Sequence, residues 1–298
     1  MCGLLLLNKP SGITSFAAVA KVRRLTGEKH TGHTGTLDPM ASGVLPVLIG
    51  RATKLSDYLL CTDKSYTAKI KLGVLTDTLD ITGNVTEEKP VSVTNKEIDS
   101  VLESFTGEIS QIPPMFSAIK KDGVRLYRLA RKGESIELAP RKITVFSLSR
   151  TSDIDENFEF DISCTVSKGT YIRALCRDIG SALGVPATLT SLCRTKTAGF
   201  DIEECVSLDE LNEDNISGFI LPASRAAKRF RPVNVTRPQA VRFSNGGALN
   251  LDRLPKQEFL SGEIVRVCLK DSFLGLATAN LDTHQLTFKC IINEVKGE

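Results

Sequence analysis

The apolar residues near the N-terminus follow two different periods. Residues 4–7 form a continuous apolar run that predicts a strand over 4–8, whereas residues 14–27 place apolar side chains at the spacing of one helical face. Thr14 or Ser15 can cap the start of this helix, and a glycine at its end can close it. The chain is therefore predicted to begin with a strand followed by a helix.

A polar segment without any period follows this helix. Residues 28–43 carry several glycines and few apolar side chains, while residues 44–49 again predict a strand and residues 52–60 a helix. We predict a loop over 28–43 that regular elements hold at both ends. Loops fixed in this way are favourable places for binding and catalytic residues.

Later patterns continue the mixture of strands and helices. They predict, in chain order, a strand over 66–72, a loop over 74–83, a short helix with a capping box that ends near residue 107, a hairpin of strands over 141–150 and 157–166, and a helix over 170–184 capped by Thr170. We expect an α+β fold with a mixed, mainly antiparallel central sheet and flanking helices.

The character of the chain changes near its C-terminal quarter. Residues 224–242 contain six basic side chains and no acidic one. Three short strands are predicted beyond them, over 264–269, 273–279 and 286–292. We therefore predict a catalytic domain over 1–229 and a small β-rich domain over 230–298.

The total composition constrains partners and location. A net charge of +3 is too small to indicate a nucleic acid by itself, so the placement of the basic residues has to carry that argument. The eight cysteines are scattered without a Cys-x-x-Cys pair, which predicts reduced thiols and a cytoplasmic protein. Because the three histidines form no ligand cluster and no apolar stretch is long enough to cross a bilayer, we expect neither a metal site nor membrane association.

The predicted loop contains the most informative segment, Gly32-His33-Thr34-Gly35-Thr36-Leu37-Asp38-Pro39-Met40-Ala41-Ser42-Gly43. An Asp-Pro pair usually marks a turn in which the carboxylate bonds its own backbone. Here the glycines permit close approach of a ligand, His33 precedes Asp38 by five residues, and no apolar pattern explains the loop. Asp38 is therefore a candidate catalytic carboxylate.

A second polar cluster, residues 165–173, lies where a strand ends and a helix begins. Tyr171 and Arg173 fall in the first turn of that predicted helix. The helix dipole disfavours a cation there, so Arg173 is expected to reach a carboxylate or a phosphate. A solvated arginine is the alternative, and this segment alone does not decide between them.

Four ordered motifs resemble those of the TruB-type pseudouridine synthases. They are Lys9-Pro10-x-Gly12, Gly35-x-Leu37-Asp38-x-x-x-x-Gly43, Tyr66 leading to Leu72-Gly73, and Gly169-x-Tyr171-Ile172-Arg173. The resemblance implies the pseudouridine synthase fold and conversion of the uridine at position 55, in the T-loop of tRNA, without cofactor or metal.

The resemblance also implies roles for three residues. Asp38 is implied to be the nucleophile, Tyr66 to stack on the target base and remove the C5 proton, and Arg173 to pair with Asp38. These roles fit the chemistry. Breaking the C1′–N1 bond and rejoining the sugar through C5 needs a nucleophile, a base and a pocket that retains the freed ring.

Five more residues are implied to lie at the substrate: His33, Lys9, Asp80, Tyr171 and Leu192. His33 is implied to contact the extruded nucleotide, Leu192 to pack on the target base, and Lys9 to support the nucleophile loop. Without the resemblance, Tyr66 and Leu192 are interpreted as core residues and His33 as a solvated loop residue.

An insertion over about residues 110–142 resembles the thumb with which the family clasps RNA, and the C-terminal domain resembles the family's PUA-like RNA-binding module. Phe116 and Cys193 depart from the tyrosine and the arginine that are usual at their positions. Both departures concern local RNA contacts. For the basic entrance to the C-terminal domain, a solvated linker is the alternative. The predicted RNA-binding residues are Lys120, Arg125, Arg128, Arg131, Lys132, Arg229 and Arg231.

Three other functions remain open. An RNA-folding chaperone would bind tRNA by the same surface without turnover. A glycosidase acting on free nucleosides or sugars would need a second catalytic carboxylate and no basic thumb. A guide-RNA-dependent relative is the third, although the short C-terminal region favours a stand-alone enzyme. Such an enzyme is expected to be a monomer that binds the tRNA T-stem-loop.

Overall fold

Strands form most of the regular structure. The computed structural model describes residues 1–60, 62–117, 119–121, 123–130, 133–134, 136–255, 257–293 and 295. The first part of the chain contains β1 (Gly3–Lys9), α1 (Ser15–Thr26), β2 (Thr31–His33), β3 (Ser42–Ile49), α2 (Ser56–Leu60), β4 (Lys64–Leu72), β5 (Val74–Thr76), β6 (Val85–Glu88), α3 (Asn95–Ser104), β7 (Gly107–Gln111), β8 (Lys120–Lys121), β9 (Val124–Arg125), α4 (Leu126–Ala130), β10 (Arg141–Arg150), β11 (Glu159–Val166), α5 (Ile172–Ala182), β12 (Ala187–Thr197), β13 (Phe200–Asp201) and β14 (Val206–Ser207). The last part contains β15 (Pro232–Asn234), α6 (Arg237–Ser244), β16 (Leu249–Asn250), β17 (Ile264–Leu269), β18 (Ser272–Asn280) and β19 (Gln285–Ile291).

The central sheet is mixed and mainly antiparallel. Its strand order is β14-β1-β3-β12-β4-β11-β10-β7, with β2 added to β3 and β13 added to β12. The β1–β14 and β3–β12 pairs are parallel, whereas β4 pairs with both of its neighbours in antiparallel fashion. The helices α1, α3 and α5 contribute to the apolar core on one face of this sheet. The predicted α+β fold class is confirmed.

The centre of the sheet places three side chains at the same end of one face. β4 alternates buried and partly exposed residues as predicted, and it buries Tyr66. β12 runs antiparallel to it, with Arg194 opposite Tyr66 and Leu192 opposite Ala68. Because successive strand residues point to opposite faces, residues 192 and 194 lie on the same face as Tyr66.

Four local predictions differ from the structure. The predicted loop 28–43 contains the short strand β2, the predicted loop 74–83 begins with the strand β5, and the predicted helix over 52–60 starts as a 3₁₀ helix, Gly50–Leu55. In addition, the strand β12 was not predicted. The helix α5 begins at Ile172 with Tyr171 as its N-cap, so Thr170 is not the cap. The reason is that the Thr170 hydroxyl donates to the Ser167 carbonyl and is used in the preceding turn.

The second sheet packs on the first. Its strand order is β15-β17-β18-β19-β16, which confirms a β-rich C-terminal part. It has an apolar core of its own, and it also shares a buried cluster with Leu4, Leu48 and other residues of β1 and β3, in which Phe273 and Leu276 take part. The domain boundary at residues 229/230 stays a prediction.

Candidate active site

The loop that carries Asp38 is fixed from both of its sides. Ser15, at the start of α1, accepts from the Leu37 amide at 2.9 Å and donates to the Leu37 carbonyl at 3.1 Å. The Gly12 amide donates to the Pro39 carbonyl at 2.8 Å. The main chain on either side of Asp38 is thereby held, and the carboxylate itself projects away from its own loop to an ion pair with another element.

That ion pair joins Asp38 to Arg173. The guanidinium Nε lies 2.9 Å from Oδ2 of Asp38, and the Asp38 side chain is 34% exposed while that of Arg173 is 6% exposed. Burial raises the pKa of the Asp38 carboxyl, and the adjacent Arg173 charge opposes that shift. The Asp38 carboxylate therefore lies at the surface of the site, and the Arg173 guanidinium that balances its charge is buried beneath it.

Arg173 also binds a second carboxylate and two main-chain carbonyls. Its Nη1 lies 3.3 Å from Oδ2 of Asp80 and donates to the Thr78 carbonyl, and its Nη2 donates to the carbonyl of Phe116. Asp80 is itself buried, and its Oδ1 accepts from the amide and the hydroxyl of Thr82. One guanidinium therefore connects the nucleophile loop, the segment around Asp80 and the start of the predicted thumb.

Tyr66 lies on the other side of the site, next to Arg194. Burial raises the pKa of the Tyr66 phenol. The Arg194 guanidinium opposes this rise, both through its charge and as a hydrogen-bond donor. Leu192 is 6% exposed and belongs to the same apolar cluster as Tyr66 and Leu37. These side chains supply an apolar surface for a base beside the carboxylates.

Three other predicted residues surround this centre. Lys9 is fully buried, donates to the carbonyls of Pro10 and Ile13, and has its pKa lowered to about 8 by burial. His33 has a buried Nδ1 without a hydrogen-bond partner, and burial lowers the pKa of the ring, which favours its neutral form. The main chain of Tyr171 is bracketed by the amide group of Gln111, which binds both its N–H and its carbonyl.

Among the predicted RNA-binding residues, only Arg229 and Arg231 have side chains that the structure describes. The structure describes the backbone at residues 120, 125 and 128 without their side chains, and Arg131 and Lys132 lie outside the described residues. Arg229 stacks on Phe230, with its guanidinium carbon 4.7 Å from the ring centre. The guanidinium of Arg231 binds Glu263 at 3.0 Å, so an RNA phosphate would have to compete with that carboxylate.

Two site residues escaped prediction. Arg194 is completely buried in β12, and Gln111 ends β7. The β-branched residues of 187–197 were the available signal for the strand that carries Arg194. No local signal marked Arg194 as buried, because arginine is rarely found fully buried.

The described residues contain neither a cluster of metal ligands nor a helix suited to a membrane. Within the described ranges, no group of three or more His, Cys, Asp or Glu residues is placed to hold a metal ion. In the same ranges, no helix has the length and hydropathy that crossing a bilayer requires.

Comparison with known proteins covers most of the chain. Residues 23–172 match the model of the TruB family pseudouridylate synthase N-terminal domain, and residues 173–226 match that of the tRNA pseudouridylate synthase B C-terminal domain. A protein of Clostridium tetani named tRNA pseudouridine synthase B is 43% identical over 277 residues, which are 93% of this chain and 95% of the relative. Its counterpart in Azoarcus sp. is 46% identical over 277 residues, 92% and 90% of the two chains.

Solved structures resemble the complete fold. A chain in the structure of an H/ACA RNP bound to a substrate RNA containing 2′-deoxyuridine has a TM-score of 0.74 at 25% identity, and the match covers 98% of this chain and 85% of that one. A chain of a Cbf5-Nop10-Gar1 complex has a TM-score of 0.73 at 27% identity, with 99% and 84% covered. Both matches include the second sheet as well as the central one.

Proposed function

Because this chain belongs to the TruB family of pseudouridylate synthases, we propose that it isomerises uridine to pseudouridine in tRNA, at position 55 of the T-loop. One observation carries the proposal: Asp38, Arg173, Asp80 and Tyr66 come from four separate segments and meet at one place. The relatives named tRNA pseudouridine synthase B support tRNA as the substrate.

Asp38 is the nucleophile in this proposal. Arg173 contacts its Oδ2, and no donor among the described residues bonds its Oδ1, so this oxygen is free to meet the nucleotide. A carboxylate can attack the sugar at C1′ or the ring at C6, or assist elimination to a glycal, and each route leaves Asp38 in the same role. Arg173 favours the ionised form on which all three routes depend.

The apolar side of the site holds the base while it is detached. Tyr66 and Leu192 offer a ring and an aliphatic surface, between which a pyrimidine can turn to present C5 to C1′. The N1–C1′ bond breaks, the C5–C1′ bond forms, C5 loses its proton to Tyr66 and N1 gains one. The reaction is therefore an isomerisation that consumes no other reactant.

The target base must leave its stack before it reaches this site. A neutral His33 and the first turn of α5, at Tyr171, lie beside the centre and can contact an extruded nucleotide. Basic residues of the predicted thumb and of the C-terminal part, Arg229 among them, would bind the RNA backbone. These contacts position the RNA, whereas Asp38 and Tyr66 carry out the chemistry.

The alternatives explain the site less well. A chaperone that only binds RNA has no need of two carboxylates around one buried guanidinium, an arrangement that is costly to desolvate. A glycosidase needs a second carboxylate that is free to exchange a proton. Asp80 is 4% exposed, and its oxygens already meet Arg173, Thr78 and Thr82, so it does not meet that need.

We also infer that the protein acts as a cytoplasmic monomer. The described cysteines are free thiols, and burial raises the pKa of several of them, which suits a reducing compartment. Size-exclusion chromatography with light scattering should give one chain mass. A dimer mass at micromolar concentration would contradict this inference.

The function is tested with an unmodified tRNA transcript. The purified protein should produce pseudouridine at the T-loop uridine, mapped by carbodiimide-dependent reverse-transcription stops. Asp38→Asn and Asp38→Ala should give no product, while Asp282→Asn, a change at an exposed aspartate far along the chain, should behave as the parent does. Equal product from the Asp38 variants would remove this residue from its role, and absence of product from the parent would remove the function.

A further inference from the structure

Arg194 is completely buried, and the proposed reaction gives it no role. It lies in β12, opposite Tyr66 on β4. A buried guanidinium is costly unless its partners compensate for lost water. The groups that surround the Arg194 guanidinium therefore indicate its role.

The side chain of Arg194 is anchored by main-chain carbonyls. Its Nε donates to the Val44 carbonyl at 2.8 Å, and its Nη2 donates to the Gly35 carbonyl at 3.1 Å. The backbone beneath it is equally fixed, because a Cβ at Gly43 would lie 2.2 Å from the Arg194 carbonyl oxygen. Two carbonyls from separate segments thus hold the guanidinium in one orientation.

The positive charge of Arg194 has no anionic partner nearby. The part of the chain that the structure describes places no carboxylate within 4.0 Å of it, in contrast to Arg173, which has two. Its charge instead lowers the pKa of Lys9, of His33 and of Tyr66. Of these three groups, only the phenol of Tyr66 can become an anion.

We propose that Arg194 is a positioning residue for proton transfer at C5, which orients Tyr66 against the target base and stabilises its oxygen as an anion able to accept the C5 proton. The inference rests on the proposed function. A neutral phenol is not a useful base, so Tyr66 has to reach the phenolate form during each turnover. A fixed cation with no carboxylate of its own is the arrangement that favours this form.

The proton balance of the step is simple. The Tyr66 oxygen takes the proton from C5, and the C5–H electron pair restores the C5–C6 double bond of the ring. N1 takes a proton from solvent, and Tyr66 returns its proton to solvent before the next turnover. No oxidant, reductant or further reactant is needed.

Single-turnover kinetics on a tRNA transcript labelled with tritium at C5 test the proposal. Arg194→Gln should slow tritium release by about 100-fold and move the rise of the rate to higher pH, since the phenol then ionises less readily. Arg194→Lys keeps the charge but loses the two-carbonyl anchor, so its loss should be smaller. Arg253→Gln, at an exposed arginine of the C-terminal part, is the matched control. A loss that is the same at every pH would indicate a purely structural role and would overturn the proposal.

A double variant separates action through Tyr66 from general damage. If Arg194 acts through the phenol, adding Arg194→Gln to Tyr66→Phe should cost little beyond Tyr66→Phe alone. A full additional penalty would show that Arg194 acts elsewhere, for example on the loop of Asp38 through Gly35.

Titration of the Tyr66 phenol by fluorine NMR tests the proposal even if a variant is catalytically inactive. The chain has four tyrosines, so 3-fluorotyrosine labelling gives four fluorine signals, and Tyr66→Phe identifies the one required. That signal should titrate at higher pH in Arg194→Gln, and in Arg194→Lys should the first variant not fold. An unchanged titration would overturn the proposal, whereas an inactive parent with the expected titration would overturn only the proposed function.

Discussion

The two sides of the site use buried arginines in opposite ways. On the carboxylate side, formed by Asp38, Asp80 and Arg173, one guanidinium serves two anions. On the phenol side, formed by Tyr66 and Arg194, one guanidinium is held by neutral carbonyls and faces a phenol. The first side has an excess of negative charge and the second an excess of positive charge.

This difference follows from what each side has to ionise. Burial raises the pKa of both Asp38 and Tyr66, and an arginine opposes the rise in each case. The pKa of a carboxyl starts from an ordinary value of 3.8, so a shared cation can counter the effect of burial, whereas the pKa of a phenol starts from 10.0 and ionisation needs a cation of its own. We therefore expect removal of the Arg173 charge to slow the reaction more than removal of the Tyr66 hydroxyl or of Arg194.

Among the variants that compare the two sides, removal of Arg173 should cause the largest loss of single-turnover rate. Arg173→Met leaves the partly exposed Asp38 and the buried Asp80 without their cation, which should destabilise the fold by about 4 kcal/mol. Because Asp38 also loses its orienting partner, we expect the single-turnover rate to fall by about 1,000-fold. The pKa of Asp38 should rise further, so the acid limb of the pH–rate profile should move to higher pH. Arg173→Lys should recover part of the rate. An unshifted acid limb in Arg173→Met would show that Asp38 does not depend on this charge.

Tyr66→Phe should have a smaller effect that is confined to the phenol side. The ring still packs beside Leu192, so tRNA affinity measured by filter binding should stay within about twofold, while release of the C5 proton should fall by about 100-fold. The acid limb set by Asp38 should not move. If Tyr66→Phe shifted that limb as much as Arg173→Met does, the two sides would have to be treated as one coupled unit.

The two sides were also unequally predictable from sequence. Asp38 and Arg173 stand in short segments whose glycines and helix start could be interpreted locally. Their contact with each other was expected only from the family resemblance, because the local pattern of Arg173 left a carboxylate, a phosphate or solvent open. Arg194 could not be identified, because its role depends on β12 pairing with β4 in the register that sets it opposite Tyr66. Strand register between residues more than a hundred positions apart is decided by packing of the whole sheet and leaves no local signal.

The same reasoning explains the local errors. The prediction that Thr170 caps α5 relied on residue type, yet the hydroxyl is used by Ser167 and the Gln111 amide holds the helix start. The mixed sheet and the helices, in contrast, followed from strong periodic patterns such as the alternation along β4. Long periodic elements are therefore predictable, and partners between distant elements are not.

Asp80→Asn should move the acid limb of the pH–rate profile in the direction opposite to Arg173→Met. The negative charge of Asp80 contributes to the raised pKa of Asp38, so its removal lowers that pKa and moves the acid limb to lower pH. The amide can still accept from Thr82, but it holds Arg173 less firmly, and we expect a loss of about tenfold at neutral pH. The pH–rate profile of kcat/KM measures both effects. A limb that moves to higher pH would contradict the assignment of Asp80 as a like charge beside Asp38.

The smallest expected effect concerns the point where the thumb reaches the carboxylate side. The carbonyl of Phe116 accepts from Arg173, but the Phe116 ring is only partly buried and takes no part in that bond. Phe116→Tyr, which introduces the usual hydroxyl, should add one hydrogen bond to RNA, a gain of about 1 kcal/mol or about fivefold in Kd. The single-turnover rate at saturating tRNA should not change, because the backbone contact with Arg173 is kept. Phe146→Tyr, at an exposed phenylalanine of β10, controls for the added hydroxyl. A change in the saturated rate with Phe116→Tyr would mean that the thumb side chain acts on the carboxylate side and does not merely hold the RNA.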